Sequence, residues 1–200
     1  MKAVFLDRDG VINELVYYEA GIIDSPFTVD QFRLCTGAGK AIRRLNNAGF
    51  LAIVVSNQPG IARNHFSMVT LEQMNEKMAR EISIDGAHID KIYYCPHHPE
   101  GKNPAYRQVC KCRKPEPGLL LQGIDDFGLN PEECYMVGDN LTDVMAGRRT
   151  GCKTILLGKQ KCEVCQLMDE LDAHPDRIAL NLPEAVEFIL QLDRTLAGKR

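Results

Sequence analysis

Asp7 and Asp9 stand one residue apart, directly after the apolar run KAVFL (2–6). Alone, a D-x-D pair is weak, because many solvated turns carry one. Groups suited to the same chemistry follow other apolar runs. After FLAIVV (50–55) come Ser56, Asn57, Gln58, Pro59 and Gly60: a hydroxyl, two amides and a glycine turn fit to cradle an oxyanion. Arg113-Lys114-Pro115 follows a cysteine-rich stretch, and CYMV (134–137) runs into GDNLTD, with Gly138, Asp139, Asn140 and Asp143. Carboxylates, a hydroxyl and a lysine together describe phosphoryl transfer to an aspartate. Asp7 would attack phosphorus and form an acyl phosphate. Two anions must meet in that step, so it needs a hard cation. Mg²⁺ would be held by Asp7, Asp139 and Asp9, the last through a backbone carbonyl near it. Ser56 and Lys114 would grip the phosphoryl oxygens. Asp9 would protonate the leaving alkoxide and later take a proton from water.

A second constellation lies in CPHHPEGKNPAYRQVCKCRKPEPG (95–118). Cys95, His97, Cys110 and Cys112 form C-x-H and C-x-C pairs with 12 residues between them. One intervening residue lets both ligands of an extended pair point the same way, and four such ligands suit tetrahedral Zn²⁺. Four protein ligands close the shell, so this zinc reads as structural, not catalytic. His97 is favoured over His98 by the spacing, and His98 is expected on the loop surface. A nucleic-acid knuckle is the competing reading of this loop. Arg107, Lys111, Arg113 and Lys114 favour it, but no aromatic platform beyond Tyr106 accompanies them.

The elements that must position these groups alternate. KAVFL (2–6), FLAIVV (50–55), KIYYC (91–95), CYMV (134–137), KTILL (153–157) and RIAL (177–180) read as short strands, apolar on both faces. Helices are predicted over 39–49, from Thr70 with Gln73 as a capping box through LEQMNEKMAREI, and over 117–128, 141–151 and 183–196. This predicts a doubly wound, three-layer, Rossmann-like α/β fold with a parallel sheet, in which ligands sit beyond the C-terminal strand ends. The 46 residues between Asp9 and Ser56 are read as a strand-free loop and one helix, and 57 lie between Ser56 and Lys114. Neither gap leaves room for a separate cap domain. One domain is expected over 1–200, with a zinc loop at 95–112 and residues 158–200 completing the sheet and its helical cover.

Composition supports this. The chain has 200 residues, 44% hydrophobic and 26% charged, with a formal net charge of -3. It lacks the basic field of a nucleic-acid-binding protein. Its charged first residues argue against a secretory signal, and no apolar run approaches a membrane span. A cytoplasmic protein with reduced thiols is expected. Cys35, Cys134 and Cys152 are read as small core hydrophobes, whereas the C-x-x-C of Cys162 and Cys165 receives no role.

The four motifs DRDGV, SNQ, the lysine of CRKP and GDN-x-x-D stand in the order found in haloacid dehalogenase (HAD) superfamily phosphatases, which the chain resembles across roughly residues 2–160. An acid at Asp9 selects that superfamily's phosphatase branch. The loop YYCPHHPEG…YRQVCKCRKPEPG is similar to that of the bacterial heptose 1,7-bisphosphate 7-phosphatase family, whose product goes toward lipopolysaccharide or surface glycans. A shorter, related loop occurs in histidinol-phosphate phosphatases, the alternative reading along with other small sugar phosphatases. A catalytically silent zinc module is a further alternative, opposed by the intact acidic and lysine set. The resemblance implies that Asn57, Gln58 and Arg113 contact substrate, and that the partner is a small phosphorylated sugar met by a monomer, without nucleic acid or membrane. It also places Asn140, where the family carries lysine, near the sugar. The segment 19–32 departs from the family's usual loop as well.

Overall fold

A computed structural model describes residues 1–158 and 162–198. Six parallel strands form the main sheet: β1 (Lys2–Leu6), β4 (Phe50–Asn57), β5 (Lys91–Cys95), β6 (Tyr135–Gly138), β7 (Lys153–Leu157) and β8 (Arg177–Ala179). Between β1 and β4 lies a small antiparallel hairpin of β2 (Val16–Tyr17) and β3 (Ile23–Asp24). The stretch expected to be strand-free therefore contains two strands. Each is two residues long, β2 lying within the short run LVYY (15–18).

The sheet order is β5-β4-β1-β6-β7-β8. The chain builds outward from β1 through β4 to β5, then returns to β6 on the other side of β1. That reversal opens a crevice at the ends of the central strands, where doubly wound sheets bind ligands. β1 is apolar on both faces because both are covered. Val4 and Leu6 join the core under α1 (Ala38–Asn47), α2 (Met68–Ile84) and α6 (Leu182–Ala197), while Ala3 and Phe5 join the core under α3 (Gly118–Phe127) and α4 (Leu141–Thr150). Leu71, Met74, Met78 and Ile82 line the buried stripe of α2 at helical spacing. Burial of each contributes about 1.5–3 kcal/mol.

Helix α2 does not start at the predicted Thr70–Gln73 box. Ser67 caps it, accepting from the Thr70 backbone N–H at 3.1 Å, so the helix begins at Met68. The Ser67 hydroxyl reaches the first free donors one turn earlier, and Thr70 becomes a first-turn residue. An additional helix, α5 (Cys162–Glu170), carries the C-x-x-C. The Cys162 side chain lies outside the described residues, and Cys165 is exposed. Cys134 and Cys152 are buried as core residues, whereas Cys35 is only partly so. No helix among the described residues is long and apolar enough to cross a membrane.

Candidate active site and thiol cluster

Three adjacent strands deliver the acidic groups and their partners. Asp7 follows β1, and its backbone N–H donates to Val137 O of β6 at 2.9 Å, which fixes its height against Asp139. Glycines make the close approach possible. Gly10 has φ +77°, and a Cβ there would lie 2.0 Å from Asp139 Oδ2. A Cβ on Gly138 would meet the Asp143 carboxyl at 2.2 Å. Asp143 is held as the third residue of α4 by a capping box, its Oδ2 accepting from Asn140 N–H at 3.1 Å.

Lys114 stands among these carboxylates, only 2% exposed. Its Nζ lies 2.6 Å from Asp143 Oδ1 and 3.1 Å from Asp7 Oδ1, and donates to Val55 O at 2.8 Å. Asn57 fastens the lysine's backbone through a reciprocal pair, Nδ2 to Lys114 O and Lys114 N–H to Oδ1, both 3.0 Å. Burial pulls the Lys114 proton off, but Asp143 and Asp7 outweigh it and its pKa ends raised. Burial pushes Asp7 up to about 6; Lys114 opposes this, and Asp143 and Asp9 add to it. Asp139 is pushed up to about 7 by burial, then by Asp7 and Asp143.

Oxygens of Asp7, Asp139 and Asp143 lie within 4.8 Å of one another and could hold a metal ion. Once ionised, the three carboxylates exceed the one ammonium by two negative charges, which a divalent cation would neutralise. The Asp9 carboxylate is not in this group; it faces Arg8, Asn13 and Gln58 instead. Sequence reasoning does not single out Asp143 as a metal-site residue. Its signal is the final acid of GDN-x-x-D, which is equally that of a helix-capping acid, and the structure gives it both contacts.

Gln58 and Asn57, expected among the substrate contacts, have other partners. Gln58 is buried and donates to Asp9 Oδ2 at 2.7 Å and to Ser56 Oγ at 2.9 Å. The Asn57 amide is taken up by Lys114. Both side chains are thus turned toward the site's own framework, Gln58 buried and Asn57 partly so. Arg113 is half-buried, its Nη1 3.4 Å from His97 O. Asn140 is exposed and accepts from Thr142 N–H at 3.1 Å as the cap of α4. A cleft of about 550 Å³ opens beside Asp139, between Gly10, Glu14, Tyr17 and Asn181. A larger one, about 620 Å³ around Lys2, Tyr135 and Asp193, contains none of these acidic groups.

The thiol cluster abuts this site. Asn57 of β4 pairs in register with Cys95, the last residue of β5, and Gln58 N–H donates to Cys95 O at 2.8 Å. The Sγ atoms of Cys95, Cys110 and Cys112 lie 3.2–3.4 Å apart, with His97 Nδ1 at 3.4 Å from Cys112 and 3.7 Å from Cys95. A tetrahedron of Zn–S bonds has edges of about 3.8 Å; the thiols lie closer together than that, and the four ligand atoms, all within 4.8 Å of one another, could hold one ion. Burial pushes the Cys95 thiol far up, whereas hydrogen bonds from Cys112 and Cys95 outweigh burial at Cys110 and lower it. His98 stays outside the cluster, on the loop with intermediate exposure, its Nε2 3.1 Å from Arg63 Nη2.

The HAD-hydrolase-like family matches residues 111–185. The D-glycero-β-D-manno-heptose-1,7-bisphosphate 7-phosphatase of Haemophilus ducreyi is 43% identical over 157 residues, 78% of this chain and 82% of that one. Its Escherichia coli K12 counterpart is 42% identical over 146 residues, 73% of each chain. The chain belongs to the heptose-bisphosphate phosphatase family of HAD-type hydrolases. As a member it is a phosphoric monoester hydrolase. Among solved structures, the D,D-heptose 1,7-bisphosphate phosphatase of B. bronchiseptica, in complex with magnesium and phosphate, superposes with a TM-score of 0.78 at 30% identity, covering 96% of this chain and 99% of that one.

Proposed function

We propose that the protein removes the 7-phosphate of D-glycero-D-manno-heptose 1,7-bisphosphate, in a Mg²⁺-dependent reaction through an aspartyl-phosphate. The observation that carries this reading is the buried Lys114 between Asp7 and Asp143, beside a pocket that, once ionised, has two uncompensated negative charges. Asp7, Asp139 and Asp143, with a backbone carbonyl near Asp9, would hold Mg²⁺, which would offset the repulsion between Asp7 and the phosphate. An Asp7 carboxylate oxygen attacks phosphorus, and the bond to the sugar oxygen breaks. The electron pair stays on that oxygen, which takes a proton from Asp9. Water then attacks the phosphorus and returns a proton to Asp9, and the bond to Asp7 breaks. Lys114 and Ser56 hold the phosphoryl oxygens throughout. Arg113 and Asn140 would meet the sugar or its second phosphate.

Zn²⁺ held by Cys95, His97, Cys110 and Cys112 would fix the loop that ends in Arg113 and Lys114. Residues 1–200 would act as one domain and as a monomer in the cytoplasm, with no nucleic-acid or membrane partner. The test is a panel of kcat/KM values for both anomers of the heptose bisphosphate, fructose 1,6-bisphosphate and histidinol phosphate. A preference of at least about 100-fold for the heptose is expected; comparable rates on all substrates would overturn the assignment.

A further inference from the structure

The largest fully buried side chain is a charged one, Arg8, only 1% exposed and lodged between the two aspartates of the first motif. Its guanidinium is committed to the second. Nη2 lies 3.1 and 3.2 Å from the Asp9 oxygens and Nε 3.3 Å from Oδ1. The other directions are taken as well: Nη2 donates to Gln58 Oε1 at 3.0 Å, and Nη1 approaches Asn75 Oδ1 of α2 at 3.5 Å. Gln58 closes the circuit through Asp9 Oδ2 and Ser56 Oγ, and Asn13 Nδ2 donates to Asp9 Oδ1 at 3.0 Å.

Leaving a guanidinium without a partner in this environment is costly, so the pair does not separate freely. A planar fork against a planar carboxylate also fixes orientation, which the point charge of a lysine cannot do. We propose that Arg8 is a positioning residue for proton transfer: the Arg8–Gln58–Asn75 cradle sets the plane and direction of the Asp9 carboxylate and ties it to Ser56. This rests on the reading of Asp9 as the group that protonates the leaving oxygen. Proton transfer depends steeply on geometry and is worth about 10²–10⁴-fold in rate.

The experiment separates proton delivery from everything else by the choice of leaving group. The Mg²⁺-loaded protein is assayed with the heptose bisphosphate, whose alkoxide must be protonated to depart, and with 2,4-dinitrophenyl phosphate, whose phenolate need not be. The quantity read is kcat/KM, which reports the half-reaction that expels the leaving group. Arg8→Met is expected to lose about 100-fold on the sugar and less than about 5-fold on the aryl phosphate. Equal losses on both substrates overturn the proposal. Asp9→Asn is the reference. If its losses are also equal, the reading of Asp9 itself fails; if they are selective while those of Arg8→Met are not, only the role of Arg8 fails. Should Arg8→Met not accumulate folded, Arg8→Lys, which keeps the buried charge, and Gln58→Met are read the same way. Each is expected to show a selective loss of about 10-fold on the sugar, and an unselective loss again overturns the proposal.

Discussion

The acidic pocket, at the ends of β1 and β6, and the thiol cluster, at the end of β5, lie on either side of the end of β4, yet they are assembled in opposite ways. The four ligands of the cluster come from a single stretch of eighteen residues, Cys95 to Cys112, and two of its pairs are one residue apart. The acids of the pocket are far apart in the chain: Asp7 follows β1, and Asp139 and Asp143 follow β6, with Lys114 arriving from the loop between β5 and α3. Both are crowded clusters of groups that repel one another or compete for protons, and both would be relieved by a cation. The cluster can form wherever its loop closes, whereas the pocket exists only once β1, β4 and β6 are in register. A local site can therefore be lost without the fold, while the pocket is a property of the whole sheet.

That contrast can be tested from its strongest consequence downward. Asp7→Asn should lower kcat by roughly 10⁴-fold or more and abolish any phosphoenzyme, while the thiol-bound metal stays in place by elemental analysis. Substantial residual turnover would contradict covalent catalysis. Gly10→Ala acts on the pocket alone. Its Cβ would fall 2.0 Å from Asp139 Oδ2 at a φ of +77°, so Mg²⁺ affinity by titration of activity should fall about 10–100-fold, with zinc content unchanged. Cys110→Ser acts on the cluster first. A loss of about 3 kcal/mol corresponds to a Tm lower by roughly 6–12 °C, and kcat/KM should drop with it because Cys112 immediately precedes Arg113 and Lys114. If activity fell while zinc content and Tm held, the cluster would not be a structural clamp.

The smallest effect is a pH dependence. Asp7 and Asp139 are raised to about 6 and about 7 by burial and mutual repulsion. In the metal-free folded state they bind more protons than the unfolded chain above about pH 4, so this contribution to stability falls as pH rises from about 4 to 7. Bound Mg²⁺ removes the penalty. The gain in Tm on adding Mg²⁺ should accordingly be several degrees larger at pH 7.5 than at pH 5.5, and an equal gain at both would mean that these carboxylates do not receive the ion.

Much of the fold is legible in the amino-acid sequence, for specific reasons. β1, β5 and β7 match the predicted KAVFL, KIYYC and KTILL residue for residue, because a strand covered on both faces leaves an unbroken apolar run. The pattern does not single out the hairpin of β2 and β3, although β2 lies in the run LVYY (15–18), because that run is short and its strand is only two residues long. The start of α2 is ambiguous in sequence because Ser67 and Thr70 are both competent caps, and only the backbone decides between them.

What the sequence alone determined is the chemistry available: an acid pair, a hydroxyl, a lysine and a four-ligand thiol set, each named by residue type and short spacing. Those signals are local, and local order survives in a one-dimensional string. Only the tertiary structure decided which groups lie close enough to share an ion and which serve one another. Asp143 joined the acids, Asp9 turned to Arg8, and the amides of Asn57 and Gln58 turned inward to Lys114, Asp9 and Ser56. The reason is physical: a buried polar atom must find its partner among whatever the neighbouring strands bring within about 3 Å, and strand order, not sequence order, sets those neighbours.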